Sequence, residues 1–247
     1  MFDTQQQDEF CIVTMRHGKV NAQDLEFCRE LTSVLNELDG NECRGAVLTG
    51  QERVFSAGVD LKRLIEEDES YLEEFLPAII NLFETLFGFS KPLVSAINGH
   101  AVAGGCIIAS ACDYRLLAPK AKIGIPELRV GVPLPCVAIE IMRSVAAPSV
   151  FQKMVNIGST YSGELAVRMG LADELVEKEN QVDIAMQHLR QLTQIPSRVF
   201  TLSKKQLRNP AMNRIREARK AFQDQIFELW RSDEVRSAIR VYVDQRL

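Results

Sequence analysis

The sequence is poor in the residue types from which metal sites and disulfide frameworks are built. Three histidines occur in 247 residues, and they are far apart and at no metal-ligand spacing, so we expect no metal site. The six cysteines include no C-x-x-C pair, and several lie in apolar runs, which is typical of buried thiols in a reducing compartment.

Long apolar runs and a cationic leader are also missing. No apolar stretch reaches membrane-spanning length, and the N-terminal MFDTQQQDEF is polar and acidic rather than a signal or Arg-rich transit sequence. We therefore expect a soluble, cytoplasmic protein with no membrane partner.

Positive charge is not in excess. Lys and Arg total 29 against 33 Asp and Glu, for a formal net charge of −4. A nucleic-acid surface normally carries a basic stripe, so we expect no nucleic-acid partner. The one locally basic segment, residues 203–220, indicates the solvated face of helices.

The G-x-S-x-G and G-x-x-x-x-G-K-[ST] motifs are absent as well, and the Ile-rich run around Cys106 favours a buried thiol over a nucleophile.

What is present is an alternation of strand and helix patterns. Apolar runs predict buried strands over 9–15, 45–50 and 92–98, and the first two are separated by a helical pattern that begins at Asn21 as a candidate N-cap. A break or kink is expected at Pro77. From about residue 137 onward only helical patterns remain. We predict an α/β core over 1–192 and a helical C-terminal region over 193–247.

Two strand-to-helix junctions carry glycines. One is AVAGGCIIASACD, residues 101–113, and the other is SAGVD, residues 56–60. Backbone N–H groups at such junctions are free donors, and two of them could meet on one oxygen as an oxyanion hole. The alternative is that each glycine only permits a tight turn. Glu127, in the apolar stretch KIGIPELRVGVPLP, is a candidate acid or base, with an exposed loop carboxylate as the alternative.

These segments together resemble the crotonase (enoyl-CoA hydratase/isomerase) superfamily. The resemblance is carried by VLTGQERVFSAGVDLKRL, by KPLVSAINGHAVAGGCIIASACDYRLLAPKAKIGIPELRVGV, by YSGELAVRMGLADELV and by the C-terminal SDEVRSAIRVYVDQRL. It implies a superhelix of repeated ββα turns followed by a helical trimerisation region, and hence a homotrimer or a dimer of trimers. It also implies an acyl-CoA substrate, with coenzyme A as part of that substrate and no separate cofactor.

The resemblance assigns roles by matching position. The oxyanion donors would be the N–H groups of Val59 and Gly104, and Glu127 would be the catalytic carboxylate. The coenzyme A side would be formed by Lys19, Val20, Ala57, Asp60 and Lys62. The acyl pocket would include Gly105, Ile107 and Leu134.

One departure from the family pattern bears on the reaction. Family hydratases carry a second glutamate where this chain has Ile107, so only Glu127 is left. Hydration needs a water held between both acids, whereas a 1,3 proton shift needs one base. The segment VPLPCVAIE also replaces a glycine-rich segment of hydratases. The chain therefore resembles the enoyl-CoA isomerase branch, which converts 3-enoyl-CoA to 2-enoyl-CoA. A hydratase, a thioester hydrolase and a non-catalytic acyl-CoA-binding homologue are the alternatives.

Overall fold

The computed structural model describes residues 1–246 as strands and helices in alternation. The strands are β1 (Phe2–Gln7), β2 (Phe10–Met15), β3 (Ala22–Gln23), β4 (Ala46–Thr49), β5 (Val54–Ser56), β6 (Gly58–Val59), β7 (Leu93–Ile97), β8 (His100–Val102), β9 (Tyr114–Leu117), β10 (Lys122–Gly124), β11 (Thr160–Ser162) and β12 (Glu174–Leu175). The helices are α1 (Leu25–Gly40), α2 (Leu61–Glu66), α3 (Glu69–Gly88), α4 (Gly104–Ala111), α5 (Glu127–Val130), α6 (Cys136–Val145), α7 (Pro148–Ile157), α8 (Gly163–Arg168), α9 (Gln181–Leu192), α10 (Ser197–Arg231) and α11 (Asp233–Arg246).

A six-stranded sheet in the order β1-β2-β4-β7-β9-β12 forms the centre of the described chain. All of its neighbouring strands are parallel except β1 and β2, which are antiparallel. Every residue of β4 and β7 is buried, as expected for parallel strands covered on both faces. The strands predicted over 45–50 and 92–98 are confirmed.

Two smaller sheets contain further strands of the described chain. One has the order β11-β10-β8-β5 and the other pairs β3 with β6. The parallel pairing of β5 with β8 brings the two glycine-bearing junctions side by side. The α/β architecture predicted from the sequence is confirmed.

The first helix begins three residues later than a cap at Asn21 implies. Its N-cap is Asp24, whose Oδ1 accepts from the Phe27 N–H at 2.8 Å. Asn21 instead has φ +48, a left-handed conformation that Asn tolerates, and its Oδ1 accepts from the His17 N–H at 2.7 Å. The prediction of Asn21 as N-cap is wrong, because its side chain closes the preceding turn.

The expectation of helical patterns alone beyond residue 137 is wrong. Strands β11 and β12 lie there, but they are too short to produce a periodic pattern. Strand β1 was not predicted, because it is an edge strand with a polar sequence and most of its side chains in solvent. Helix α3 does not break at Pro77 but runs continuously through it, and a kink there stays a prediction.

The helical region is attached to the core by buried charges. The division at residue 192 stays a prediction, although α9 ends at Leu192 and α10 begins at Ser197. The Lys204 Nζ donates to Asp113 at 2.6 Å and Arg208 donates to Asp113 at 2.9 Å. Lys204 is only 7% exposed, so the segment 203–220 is not simply a solvated face as expected.

None of the described helices is long and apolar enough to cross a membrane.

We predict that Asp113→Asn lowers the free energy of unfolding by about 3 to 5 kcal/mol, because it leaves two buried cations without their counter-charge. Urea unfolding measures the loss. Glu217→Gln is the control, since Glu217 pairs with Lys220 at 3.0 Å where both side chains are more than 70% exposed, and its loss should stay below about 1 kcal/mol. Equal losses in the two variants would contradict a stabilising role for the Asp113 cluster.

Candidate active site

The two predicted oxyanion donors belong to chain segments that are in contact. A methyl group built on Gly58 would lie 2.6 Å from the Ala103 Cβ and 3.0 Å from the Gly104 backbone N. The Asp60 N–H donates to the Gln23 carbonyl at 3.0 Å, so the N–H of Val59, one residue earlier, points away from β3. Gly104 is the first residue of α4, which leaves its N–H without an intrahelical acceptor. Convergence of the two N–H groups on one oxygen stays a prediction.

The glycines of α4 have a packing reason of their own. A Cβ on Gly104 would lie 2.0 Å from the Gln23 Oε1, and a Cβ on Gly105 would lie 2.2 Å from the Ser56 carbonyl oxygen. Both distances are far below van der Waals contact. The two readings of the glycines are therefore compatible, because the same absence of side chains lets α4 begin against β3 and β5.

Ala103, the residue that immediately precedes α4, has a strained backbone. Its φ of +55 is rare for a residue with a side chain, and such conformations cost about 1 to 3 kcal/mol. Hydrogen bonds on both sides hold it there: its N–H donates to the Gly124 carbonyl at 2.9 Å, and its own carbonyl accepts from the Cys106 N–H at 2.8 Å. Strain of this kind is found at functional junctions, which favours a role for the first turn of α4.

Glu127 presents a buried carboxylate rather than an exposed loop side chain. It begins the short helix α5, and its Oε2 is buried and accepts no hydrogen bond within residues 1–246. The residue as a whole is partly exposed, so it is the carboxylate end that is enclosed. Burial raises the pKa of Glu127 to about 8, although a hydrogen bond from its own backbone N–H acts in the opposite direction. A carboxyl with this pKa is a candidate acid or base near neutral pH.

The residues of α4 that follow the two glycines are buried and unreactive. Cys106 is fully buried, and burial and then the nearby charge of Glu127 raise the pKa of its thiol to about 12. A thiol with this pKa is not a nucleophile at neutral pH, as the sequence led us to expect. Ile107 is 1% exposed in the main core, and the partly buried Leu134 packs against the same core. Contact of Ile107, Gly105 and Leu134 with an acyl chain stays a prediction.

The residues predicted for coenzyme A lie on two touching segments. The Ala57 N–H donates to the Val20 carbonyl at 3.0 Å, and Lys19, Val20, Ala57 and Lys62 are all exposed. Asp60 has a structural task as the N-cap of α2, because its Oδ1 accepts from the Arg63 N–H at 3.1 Å. A role for these residues in binding coenzyme A stays a prediction.

Sequence reasoning missed two side chains at the site. Gln23 is fully buried against Gly104, where its Nε2 donates to the Ser56 Oγ at 3.2 Å. Arg63 on α2 forms a two-point ion pair with Glu26 of α1, at 2.5 and 2.9 Å. Both contacts join residues more than thirty positions apart, so no local sequence pattern indicates them. The one feature visible in the sequence was the positive charge of Arg63 next to Lys62.

A cavity of about 230 Å³ lies between the α1–β4 loop and the α9–α10 connection, away from all these residues. Its two cations already have partners. Lys91 donates to the carbonyls of Leu38 and Asn41 at 2.6 and 2.7 Å, and Arg44 pairs with Glu9 at 2.9 Å. None of the residues predicted for the acyl-CoA site lines this cavity.

Known proteins resemble this chain over nearly its whole length. Human mitochondrial enoyl-CoA delta isomerase 1 (Homo sapiens) is 27% identical over 238 residues, covering 95% of this chain and 79% of that protein. Carnitinyl-CoA dehydratase of Escherichia coli (strain K12) is 31% identical over 182 residues, covering 73% of this chain and 69% of that protein. The crystal structure of human mitochondrial delta3-delta2-enoyl-CoA isomerase is 26% identical and matches with a TM-score of 0.93, covering 99% of this chain and 97% of that one.

The human relative is mitochondrial by name, so a cytoplasmic location of this chain stays a prediction. The trimeric assembly likewise stays a prediction. The predicted crotonase superfamily membership is confirmed, since the family described as enoyl-CoA hydratase/isomerase matches residues 5–247. The chain therefore belongs to the enoyl-CoA hydratase/isomerase family.

Proposed function

We propose that the protein is an enoyl-CoA isomerase that converts 3-enoyl-CoA to 2-enoyl-CoA. The observation that carries this proposal is the carboxylate of Glu127, whose Oε2 is buried without a hydrogen-bond partner in the described part of the chain. A proton shift along the acyl chain needs one base shielded from water, and the aliphatic residue Ile107, buried on α4, stands where a second acid would serve hydration.

The thioester carbonyl would accept hydrogen bonds from the N–H groups of Val59 and Gly104. As the first proton leaves, negative charge develops on that oxygen, and donors already in place stabilise it without reorganisation. One such donor is typically worth about 3 kcal/mol of transition-state stabilisation. The partial positive charge at the N-terminus of α4 acts in the same direction.

Glu127 would carry the proton. Its carboxylate removes a proton from C2, the electrons spread over the oxygen and the C2–C4 unit as a dienolate, and the same carboxyl returns the proton to C4. The double bond then lies between C2 and C3, and no water is consumed. With a pKa of about 8, a substantial fraction of Glu127 is ionised at slightly alkaline pH, and the poorly solvated carboxylate is a strong base once ionised.

The relatives support this assignment without being specific for it. One is named an isomerase and is similar over 95% of the chain, while another is named a dehydratase and has the higher identity over a shorter range. A hydratase or dehydratase activity is therefore the second candidate. The aliphatic side chain at position 107 speaks against it, since it cannot hold or activate a water molecule.

Assembly into trimers is part of the proposal. Helix α10 exposes several large apolar side chains, namely Val199, Leu202, Leu207, Phe222 and Leu229. Unpartnered apolar side chains along one long helix support self-association of the helical region.

Glu127→Gln should lower isomerase turnover by about 10² to 10⁴ and leave coenzyme A thioester binding intact, because the amide keeps the shape but accepts no proton. In the parent, kcat/KM should rise about tenfold per pH unit below pH 8 and level off above it, as Glu127 ionises. Turnover of 3-hexenoyl-CoA, followed as conjugated thioester, measures both. Glu164→Gln, at an exposed site, is the control, and near-parental turnover in Glu127→Gln would remove Glu127 from the mechanism.

Ile107→Glu should introduce hydration of 2-enoyl-CoA and reduce isomerisation, because the new carboxylate can hold a water opposite Glu127. Ile107→Gln, of similar size but without a charge, separates the effect of an acid from that of a polar side chain. Both reactions are measured on the same short enoyl-CoA. If the parent already hydrates 2-enoyl-CoA as fast as it isomerises 3-enoyl-CoA, one carboxylate suffices for hydration and the argument from Ile107 fails.

The raised pKa of Glu127 also predicts a pH-dependent stability. The folded protein keeps the proton up to about pH 8, while the unfolded chain releases it near pH 4.5. The free energy of unfolding should therefore fall between these values, by no more than about 1.4 kcal/mol per pH unit, and level off above pH 8. Glu127→Gln lacks this contribution, so its stability relative to the parent should increase from pH 5 to pH 8 in urea titrations. A constant difference would mean that the carboxylate is solvated.

A further inference from the structure

The C-terminal helix α11 contacts both sides of the proposed active site. It packs against α2, which carries Lys62, and against α5, which carries Glu127. Val235 and Ile239 are 5% and 2% exposed, so one face of α11 is anchored in the core. The two contacts with α2 and α5 differ in chemistry.

Arg236 makes the contact with α2. Its guanidinium donates to the carbonyls of Ile65 and Glu67 at 3.4 and 3.2 Å. The last carbonyls of a helix have no intrahelical donor, and α2, with six residues, is too short to be stable alone. Asp60 caps the N-terminal end of α2 and Arg236 occupies its C-terminal end, so the helix that carries Lys62 is held at both ends.

Ala238 makes the contact with the turn that follows α5. A Cβ built on Gly131 would lie 2.8 Å from the Ala238 Cβ, so α11 approaches the backbone of this turn closely. The Gly131 N–H donates to the Glu127 carbonyl at 3.0 Å, and Gly131 has φ +90. A larger side chain at position 238 would push on the turn to which the Glu127 backbone is bonded.

We propose that Arg236 and Ala238 are positioning residues: α11 holds the coenzyme A side of the site through Arg236 and the carboxylate side through Ala238. The inference rests on the proposed function, since it assumes that Lys62 binds coenzyme A and that Glu127 transfers the proton.

The two contacts have different kinetic consequences. Val59 is held by its pairing with β3, independently of the C-terminal end of α2. Loss of Arg236 therefore loosens Lys62 more than the oxyanion donors and raises KM. Displacement of the Gly131 turn moves Glu127 relative to C2 and C4, which lowers kcat, because misplacement by about 1 Å can reduce turnover about a hundredfold.

The first arm of the test uses Arg236→Ala, with Arg236→Lys as the conservative variant and Lys62→Ala as the reference for a lost coenzyme A contact. We expect KM for 3-hexenoyl-CoA to rise severalfold in Arg236→Ala with kcat within about twofold, and to recover in part in Arg236→Lys, which keeps a donor. Arg240→Ala, an exposed arginine on the same helix, is the matched control and should leave both constants unchanged.

The second arm uses Ala238→Val, with Ser237→Val, at an exposed position of the same helix, as the matched control. We expect kcat to fall about 10- to 100-fold in Ala238→Val at nearly constant KM, whereas Ser237→Val stays near the parent. Thermal unfolding is followed in parallel, so that a loss of folded enzyme is separated from a change in the constants of the folded fraction.

If the variants lower the unfolding temperature while kcat and KM of the folded enzyme stay unchanged, α11 only covers the core and the proposal is overturned. If the parent does not isomerise 3-hexenoyl-CoA, the proposed function fails first, and calorimetric binding of free coenzyme A decides the Arg236 contact alone. Weaker binding in Arg236→Ala than in Arg240→Ala supports that contact, and equal binding overturns it.

Discussion

The close approach of the first turn of α4 to strands β3, β5 and β6 is the constraint on which the proposed site depends. The approach is possible only because Gly58, Gly104 and Gly105 lack side chains, since each Cβ would lie within 2.6 Å of a neighbouring atom. The strained conformation of Ala103 is a local cost of the same arrangement. Two backbone segments that are far apart in sequence thereby come into contact at a helix N-terminus, where N–H groups are free.

The burial of Glu127 is a second energetic cost to the folded protein, and it is also the source of the reactivity of the carboxylate. A buried carboxylate with one oxygen, Oε2, that accepts no hydrogen bond in the described chain destabilises the folded protein above the pKa of an ordinary glutamate. The same lack of solvation makes the ionised carboxylate a stronger base. Burial of apolar side chains in the large core that includes Cys106 and Ile107 offsets this cost.

The sequence allowed strands β2, β4 and β7, helix α4 and both glycine junctions to be predicted, because each depends on residues adjacent in the chain. Asn21 was assigned the wrong role, since Asn and Asp both suit a cap and the turn geometry decides between them. Strand β12 has two residues and no pattern to detect. The position of Gln23 against Gly104, and the contacts of α11 with α2 and α5, join segments separated by about 80 to 170 residues, and such contacts follow only from the three-dimensional fold.

The two halves of the proposed site are held by different kinds of interaction. On the oxyanion side, Val59 is paired with β3 and Ala103 is bonded to the Gly124 carbonyl, so ladder and backbone hydrogen bonds fix the donors. Glu127 lies on a four-residue helix outside any strand, and this helix is in contact with α11. Short helices depend on tertiary contacts for their stability. The placement of the carboxylate therefore depends on the C-terminal helix, whereas the placement of the donors depends on the sheet.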